Sequence, residues 1–141
     1  MSSVPIQRKA SWETDLSAFL LERENAAFVW GRTDCALFAA DAVRAMTGED
    51  LAAAYRGRYS TAAGSARALR RYGAGTLEDT LSALLPDRPI GYARRGDLVM
   101  AQGAVGICVG AFGLFLRLPE HGPGLERIAR PDWSRAWSVG A

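Results

Sequence analysis

The hydrophobic period of this chain changes near Pro89, and that change limits what the chain can fold into more than any other feature. Before it, apolar residues recur with helical spacing; after it they come in short runs parted by glycines. Trp12, Leu16, Phe19 and Leu20 fall at i, i+4, i+7 and i+8, one apolar face of a helix that Ser11 is placed to cap. A second helix is predicted from Asp34, with Leu37, Phe38, Val43 and Met46 among many alanines, stopping at Gly48 as a left-handed C-terminal residue. A third, Thr61 to Tyr72, is predicted to stop at Gly73 in the same way. Thr76 with Asp79 has the form of a capping box opening a fourth, shorter helix that Pro86 closes.

Beyond Pro89, Asp97 to Ala101, Ala104 to Val109 and Leu114 to Leu118 read as strands, with Gly110 to Gly113 as a hairpin loop between the last two. Leu125 to Ile128 and Ala136 to Val139 supply two more, and Pro119 to Gly124 reads as a surface loop. Helices first and an antiparallel meander second is the order of an α+β fold, N-terminal helices packed on a C-terminal antiparallel sheet. At 141 residues, with no repeat or linker, the chain is expected to be a single domain over 1–141.

Composition narrows the function classes. Apolar residues make up 49% and charged residues 23%, a mix that folds rather than staying disordered. The basic clusters, Arg67, Arg70, Arg71 and Arg94, Arg95, lack the interleaved aromatics of a single-strand binder, so nucleic acid is not expected as a partner. No run of about 18 apolar residues occurs, which argues against a membrane span. The stretch Met1 to Asp15 lacks the apolar core of a signal peptide, so synthesis in the cytoplasm is expected. Two cysteines and one histidine, far apart, give neither a disulfide framework nor zinc-ligand spacing; no cofactor or metal is expected.

Cys35 is predicted in the first turn of the second helix, where free N–H groups and the positive end of the dipole favour a thiolate. Two readings stand side by side, a nucleophile or a small thiol packed among Ala36, Ala39 and Ala40. Asp34 is the N-cap beside it under either. A cysteine hydrolase needs a base, and His121 is the only histidine, in a loop next to Glu120. Cys108 is expected to face away from Val105, Ile107 and Val109 as a packed thiol. Tyr55, Arg56, Arg58 and Tyr59 form a polar-aromatic cluster, either an ordered loop or a contact for an anion or another subunit.

Phe28-Val29-Trp30-Gly31 followed by Asp34-Cys35-Ala36-Leu37-Phe38 resembles the opening of the NlpC-type papain-like cysteine peptidases, where an aromatic-x-aromatic-Gly turn precedes Asp-Cys-Ser-Gly-Phe. Arg95-Gly96-Asp97-Leu98-Val99 resembles the family's Pro-Gly-Asp-Leu-Val strand, and Val105-Gly106-Ile107-Cys108-Val109-Gly110 its His-Val-Gly-Ile-Tyr-Val-Gly strand. The resemblance covers about residues 28–118 and implies a papain-like, NlpC-type fold. It also implies losses. Ala104 stands where the family's catalytic histidine precedes Val-Gly-Ile, Leu116 stands at or near its third polar residue, and Phe28 replaces a frequent tyrosine. Without a base, the family's amide hydrolysis is expected to be severely weakened.

Small proteins with this opening and no such histidine look like a group encoded among the tail genes of phages and prophages. That resemblance implies a tail-tip component made in the bacterial cytoplasm and carried in the virion tail, with other tail proteins as partners, assembly as a homo-oligomer or ring, and peptidoglycan within reach. Trp133 and Trp137 are candidate interface residues, with core packing equally open, and Tyr55 and Tyr59 are further candidates. The rival expectation is a working peptidase or amidase on cell-wall peptides, with Cys35 as nucleophile and His121, or a neighbouring subunit's group, as base. A redox or thiol-acceptor role would need an accessible, fast-reacting Cys35.

Overall fold

A computed structural model describes residues 6–140; the first five residues, part of the stretch read for a signal peptide, and Ala141 lie outside it. Four helices precede five strands: α1 (Trp12–Glu22), α2 (Cys35–Thr47), α3 (Ala62–Tyr72), α4 (Leu77–Leu84), then β1 (Leu98–Ala101), β2 (Ala104–Cys108), β3 (Phe112–Leu116), β4 (Leu125–Ala129) and β5 (Arg135–Trp137). The fold is α+β, with N-terminal helices packed on a C-terminal antiparallel sheet. No helix among the described residues is long and apolar enough to cross a membrane.

The helix ends follow from capping chemistry, with two corrections. Asp34, Thr61 and Thr76 each accept a backbone N–H of the first turn they precede, from Leu37, Gly64 and Asp79. Gly48 ends α2 at φ 85°, in the left-handed conformation expected of it. Ser11 sits at the start of α1, but its hydroxyl donates to the Asp15 carboxylate instead of capping the backbone. Gly73 ends α3 in an extended conformation, not a left-handed one. Its space is needed by neighbours: a Cβ there would stand 2.5 Å from both the Tyr55 hydroxyl and the Thr80 Oγ1.

The sheet order is β4-β3-β2-β1-β5, every pairing antiparallel. The first four strands form the expected meander, and β5 returns to pair with β1, which places the first strand inside the sheet. Gln102 and Gly103, at φ 54° and 77°, make the two-residue turn between β1 and β2, whose twist suits a hairpin. Strand limits differ from expectation where main-chain groups are used elsewhere. Phe112 and Gly113, expected in a loop, pair with Ala129 and Ile128 of β4. Asp97 is not in β1, because its amide donates to the Arg94 carbonyl and its carboxylate is a buried ion-pair centre. The chain leaves β5 after Trp137, and the Val139 amide donates to the Asp97 carboxylate.

Strand alternation divides the core in two. Leu98, Met100, Val105, Ile107 and Leu116 face α1 and α2, meeting Leu16, Phe38, Val43 and Met46. On the opposite face Val99, Cys108, Phe115 and Ala136 are covered by Ala93 and Trp133. Cys108 is fully buried there, on the side opposite Val105 and Ile107 as its spacing requires.

Candidate functional site

Cys35 is the first residue of α2, and the turn holding it is built around Asp34. The Asp34 carboxylate is 1% exposed; one oxygen accepts the Leu37 amide at 3.0 Å. The other accepts the Gly31 amide at 3.0 Å and the Tyr59 hydroxyl. Gly31 is required at this point, since its φ is 81° and a Cβ would stand 1.9 Å from the Tyr59 carbonyl oxygen. Asp34 therefore ties the Trp30-Gly31 turn, the start of α2 and the loop before α3 to one carboxylate, in addition to its role as helix cap.

Cys35 lines a cavity of about 260 Å³ between α2 on one side and α3 with α4 on the other. Ala36, Ala39 and Ala40 form the α2 wall, and Ser65, Ala66 and Leu69 the α3 wall. Leu98, Gly103 and Val105 close the end nearest the sheet. Tyr55 and Tyr59 both line this space, so the loop cluster they belong to packs inward against it.

The thiol chemistry differs from the expectation drawn from its helix position. Burial pushes the Cys35 pKa up, and the Asp34 charge pushes in the same direction. Backbone N–H groups of Val105, Ala36 and Cys35 itself oppose this but do not outweigh it. The effect of the helix start is thus outweighed, because burial and an adjacent anion act on the same sulfur in the opposite direction. Burial, reinforced by the bond to Asp34, also pushes the Tyr59 phenol well above its ordinary value.

The other sequence candidates separate in space. His121 ends an exposed 3-10 turn, Pro119–His121, between β3 and β4, and is not among the residues lining the cavity. Leu116 is buried on the helix-facing side of the sheet, in the cluster that Cys35 packs against. Ala104 packs against the opposite cluster, and Val105 is the β2 residue that reaches the sulfur, through its amide. Phe28 is half-buried, edge-on to Trp30 at 4.8 Å between ring centroids. Trp133 and Trp137, 5% and 0% exposed, are core residues and not interface anchors. Their indole N–H groups donate to the Ile128 carbonyl and the Ser82 hydroxyl, which makes burial of the polar end tolerable.

Three features had no signal in the sequence. The bond from Tyr59 to Asp34 spans 25 positions, and no local pattern pairs them. Ser65 and Thr80 come to the cavity from α3 and α4, with no motif marking either residue. The Asp97 of the Gly-Asp-Leu-Val stretch is fully buried, where Arg8 bonds one oxygen at 3.1 Å and Arg88 lies 3.4 Å from the other. Burial lowers the Arg8 pKa and the Asp97 charge opposes that shift. This carboxylate joins the N-terminal segment, the approach to β1 and the chain after β5, so its role is architectural.

Fold and site together define a small α+β protein with a cysteine at the start of its central helix, facing an apolar cavity. The chain belongs to the family described as a domain of unknown function (DUF6950), whose model matches residues 7–139. No curated protein matches the chain.

Proposed function

We propose that this protein is a catalytically degenerate NlpC-like component of a phage or prophage tail tip, residing in the virion tail and acting by assembly with other tail proteins. One observation carries the loss of catalysis: among the described residues, none that lines the cavity beside Cys35 is a histidine, glutamate or lysine that can take and return a proton. The aspartate present, Asp34, is committed to Gly31, Leu37 and Tyr59. A thiol whose pKa is raised, with no base beside it, has neither of the two routes by which a cysteine becomes a nucleophile. The NlpC-like part of the reading rests on the sequence blocks around Asp34-Cys35 and Gly96-Asp97-Leu98, and the tail setting on the resemblance of the whole opening.

The protein's contribution in this reading is a rigid shape. Leu21 and Tyr92, 68% and 75% exposed, are open to contacts with tail partners or with further copies in a ring. Incubating the protein with purified peptidoglycan tests the reading, with Cys35→Ala in parallel. No fragment release above the Cys35→Ala background is expected; release that depends on Cys35 overturns it and restores the peptidase. Co-purification of tagged protein with tail proteins from an induced prophage tests the assembly part, and a tail that assembles and infects normally without this chain refutes it.

A further inference from the structure

We propose that the pocket lined by Arg8, Trp12, Arg94 and Arg95 binds the dianionic phosphate group of a small phosphomonoester. The pocket lies where the start of α1 meets the turn before β1, and it shares no lining residue with the cavity beside Cys35. The inference therefore stands whether or not that thiol reacts. Its volume is about 170 Å³, and its lining is three guanidinium side chains and one indole. A single water needs about 10–15 Å³ measured in the same way, so a phosphate group has room.

The charge around the pocket is unbalanced. Asp97, the carboxylate bonded to Arg8, is shared with Arg88, so one negative charge already serves two guanidinium groups. Arg94 and Arg95 pair with no carboxylate among the described residues. The acids at the start of α1 do not supply one: Asp15 is taken by Lys9 and Ser11, and Glu13 makes no ion pair with these arginines. Burial lowers the Arg8 pKa, Asp97 opposes that shift, and the Arg94 and Arg88 charges add to it. An anion between the guanidinium groups relieves that repulsion.

The donors are positioned by the fold. Arg8 donates from Nε to the Val139 carbonyl at 2.6 Å, from Nη1 to the Arg95 carbonyl at 2.7 Å and from Nη2 to Asp97 at 3.1 Å, and its guanidinium lies over the Trp12 ring at 4.2 Å. Arg95 donates from Nη2 to the Ser17 hydroxyl at 3.0 Å, which leaves its Nε and Nη1 donors for a ligand. Arg94 is exposed, and its backbone is held by the Asp97 carboxylate, which accepts the Arg94 amide at 3.0 Å. Gly96 keeps the turn close to Arg8: its φ is 93°, and a Cβ there would stand 2.8 Å from the Arg8 Nη1. Groups held this way lose little freedom on binding. A tetrahedral dianion suits them better than a carboxylate, because its oxygens can accept from separate guanidinium groups whereas one bidentate arginine occupies a carboxylate. The half-buried Trp12 indole supplies apolar surface for the organic part of the ester.

Calorimetric titration with phenyl phosphate, inorganic phosphate and acetate tests this, at matched ionic strength and at a pH above the second phosphate pKa of about 6. Phenyl phosphate is expected to bind saturably, one per chain, and to raise the melting temperature; inorganic phosphate should bind more weakly, and acetate at least about tenfold more weakly than phenyl phosphate. Arg94→Ala removes a side chain that bonds nothing among the described residues and should weaken phenyl phosphate by about tenfold. Adding Arg95→Ala should abolish saturation, whereas Arg127→Ala, an exposed arginine on β4, should change nothing. Absence of saturable binding, acetate binding as tight as phenyl phosphate, or unchanged binding in Arg94→Ala overturns the proposal. Inorganic phosphate binding as tightly as phenyl phosphate overturns the ester. Sedimentation with phosphatidylglycerol vesicles that saturating phenyl phosphate does not reduce also overturns the proposal, in favour of a membrane surface.

Discussion

Replacing Asp34 by Asn keeps the size of the side chain and removes its charge, which makes the cost calculable from its bonds. The oxygen facing the Leu37 amide remains an acceptor. The other oxygen becomes an NH₂ group, which can donate to the Tyr59 oxygen but meets the Gly31 amide donor to donor. One buried N–H then loses its partner, at about 1–3 kcal/mol, and the Tyr59 bond loses its ionic acceptor, at roughly 1 kcal/mol more. The sum is about 2–4 kcal/mol. At roughly 4 °C per kcal/mol for a domain of this size, the melting temperature should fall by about 8–16 °C. Urea unfolding followed by circular dichroism measures the free energy directly. The same variant has a chemical readout, because the Asp34 charge raises the Cys35 pKa and its removal must lower it. The pH midpoint of Cys35 alkylation by iodoacetamide should therefore move down in Asp34→Asn and stay in place in Tyr59→Phe, which keeps the carboxylate. A stability loss below about 1 kcal/mol, or an unmoved midpoint in a folded variant, would refute the account of Asp34 as a charged hub.

Asp97→Ala leaves the Arg8 guanidinium, 4% exposed, with two carbonyl acceptors but no carboxylate; a loss of about 3–5 kcal/mol is expected in urea unfolding. Trp137→Ala empties a fully buried indole site and strands the Ser82 bond, so about 3–5 kcal/mol should be lost, with no effect of Trp137 on partner binding beyond unfolding. The Cys35 and Tyr59 pKa values are both raised in the fold, so their contribution is fully present below the unfolded values of 9.0 and 10.0 and is lost as pH rises from there through the raised folded values. Melting temperature should accordingly decline above about pH 9, and Cys35→Ala should flatten the first part of that decline. Asp50 is held below its ordinary pKa mainly by its bond from Arg56, so its contribution is present above the unfolded value of 3.8 and lost as pH falls; Asp50→Asn should make the acid limb of the melting curve shallower.

The order of helices and strands was legible because each carries its own local signal. Asp34, Thr61 and Thr76 are side chains that cap by contact with the next turn, and all three do so. Gly73 misled because glycine answers two needs, a left-handed turn or a close approach, and only the position of Tyr55 and Thr80 distinguishes them. Trp133 and Trp137 show the same limit: an indole suits an interface or a core equally, and the deciding partners, the Ile128 carbonyl and the Ser82 hydroxyl, are set by tertiary structure. The position of Cys35 was legible from its motif, but its acidity was not. The helix start and Asp34 are neighbours in sequence, whereas the burial that dominates comes from the core cluster against which Cys35 packs, brought there by tertiary structure. The Tyr59 hydroxyl had no signal at all, since its partner lies 25 residues away.

The return of β5 to the edge of β1 has a consequence for the order of events during synthesis. A ribosome that has released everything through β4 has made all four helices and the meander, yet β1 still has an open edge. At that moment Asp97 also lacks the Val139 amide, and the outer face lacks Trp133. A nascent chain stalled there would present an unpaired strand and an uncovered apolar layer, the two features that recruit chaperones or neighbouring chains. Slow codons between β4 and β5 would therefore lower the yield of folded protein more than the same codons before α1.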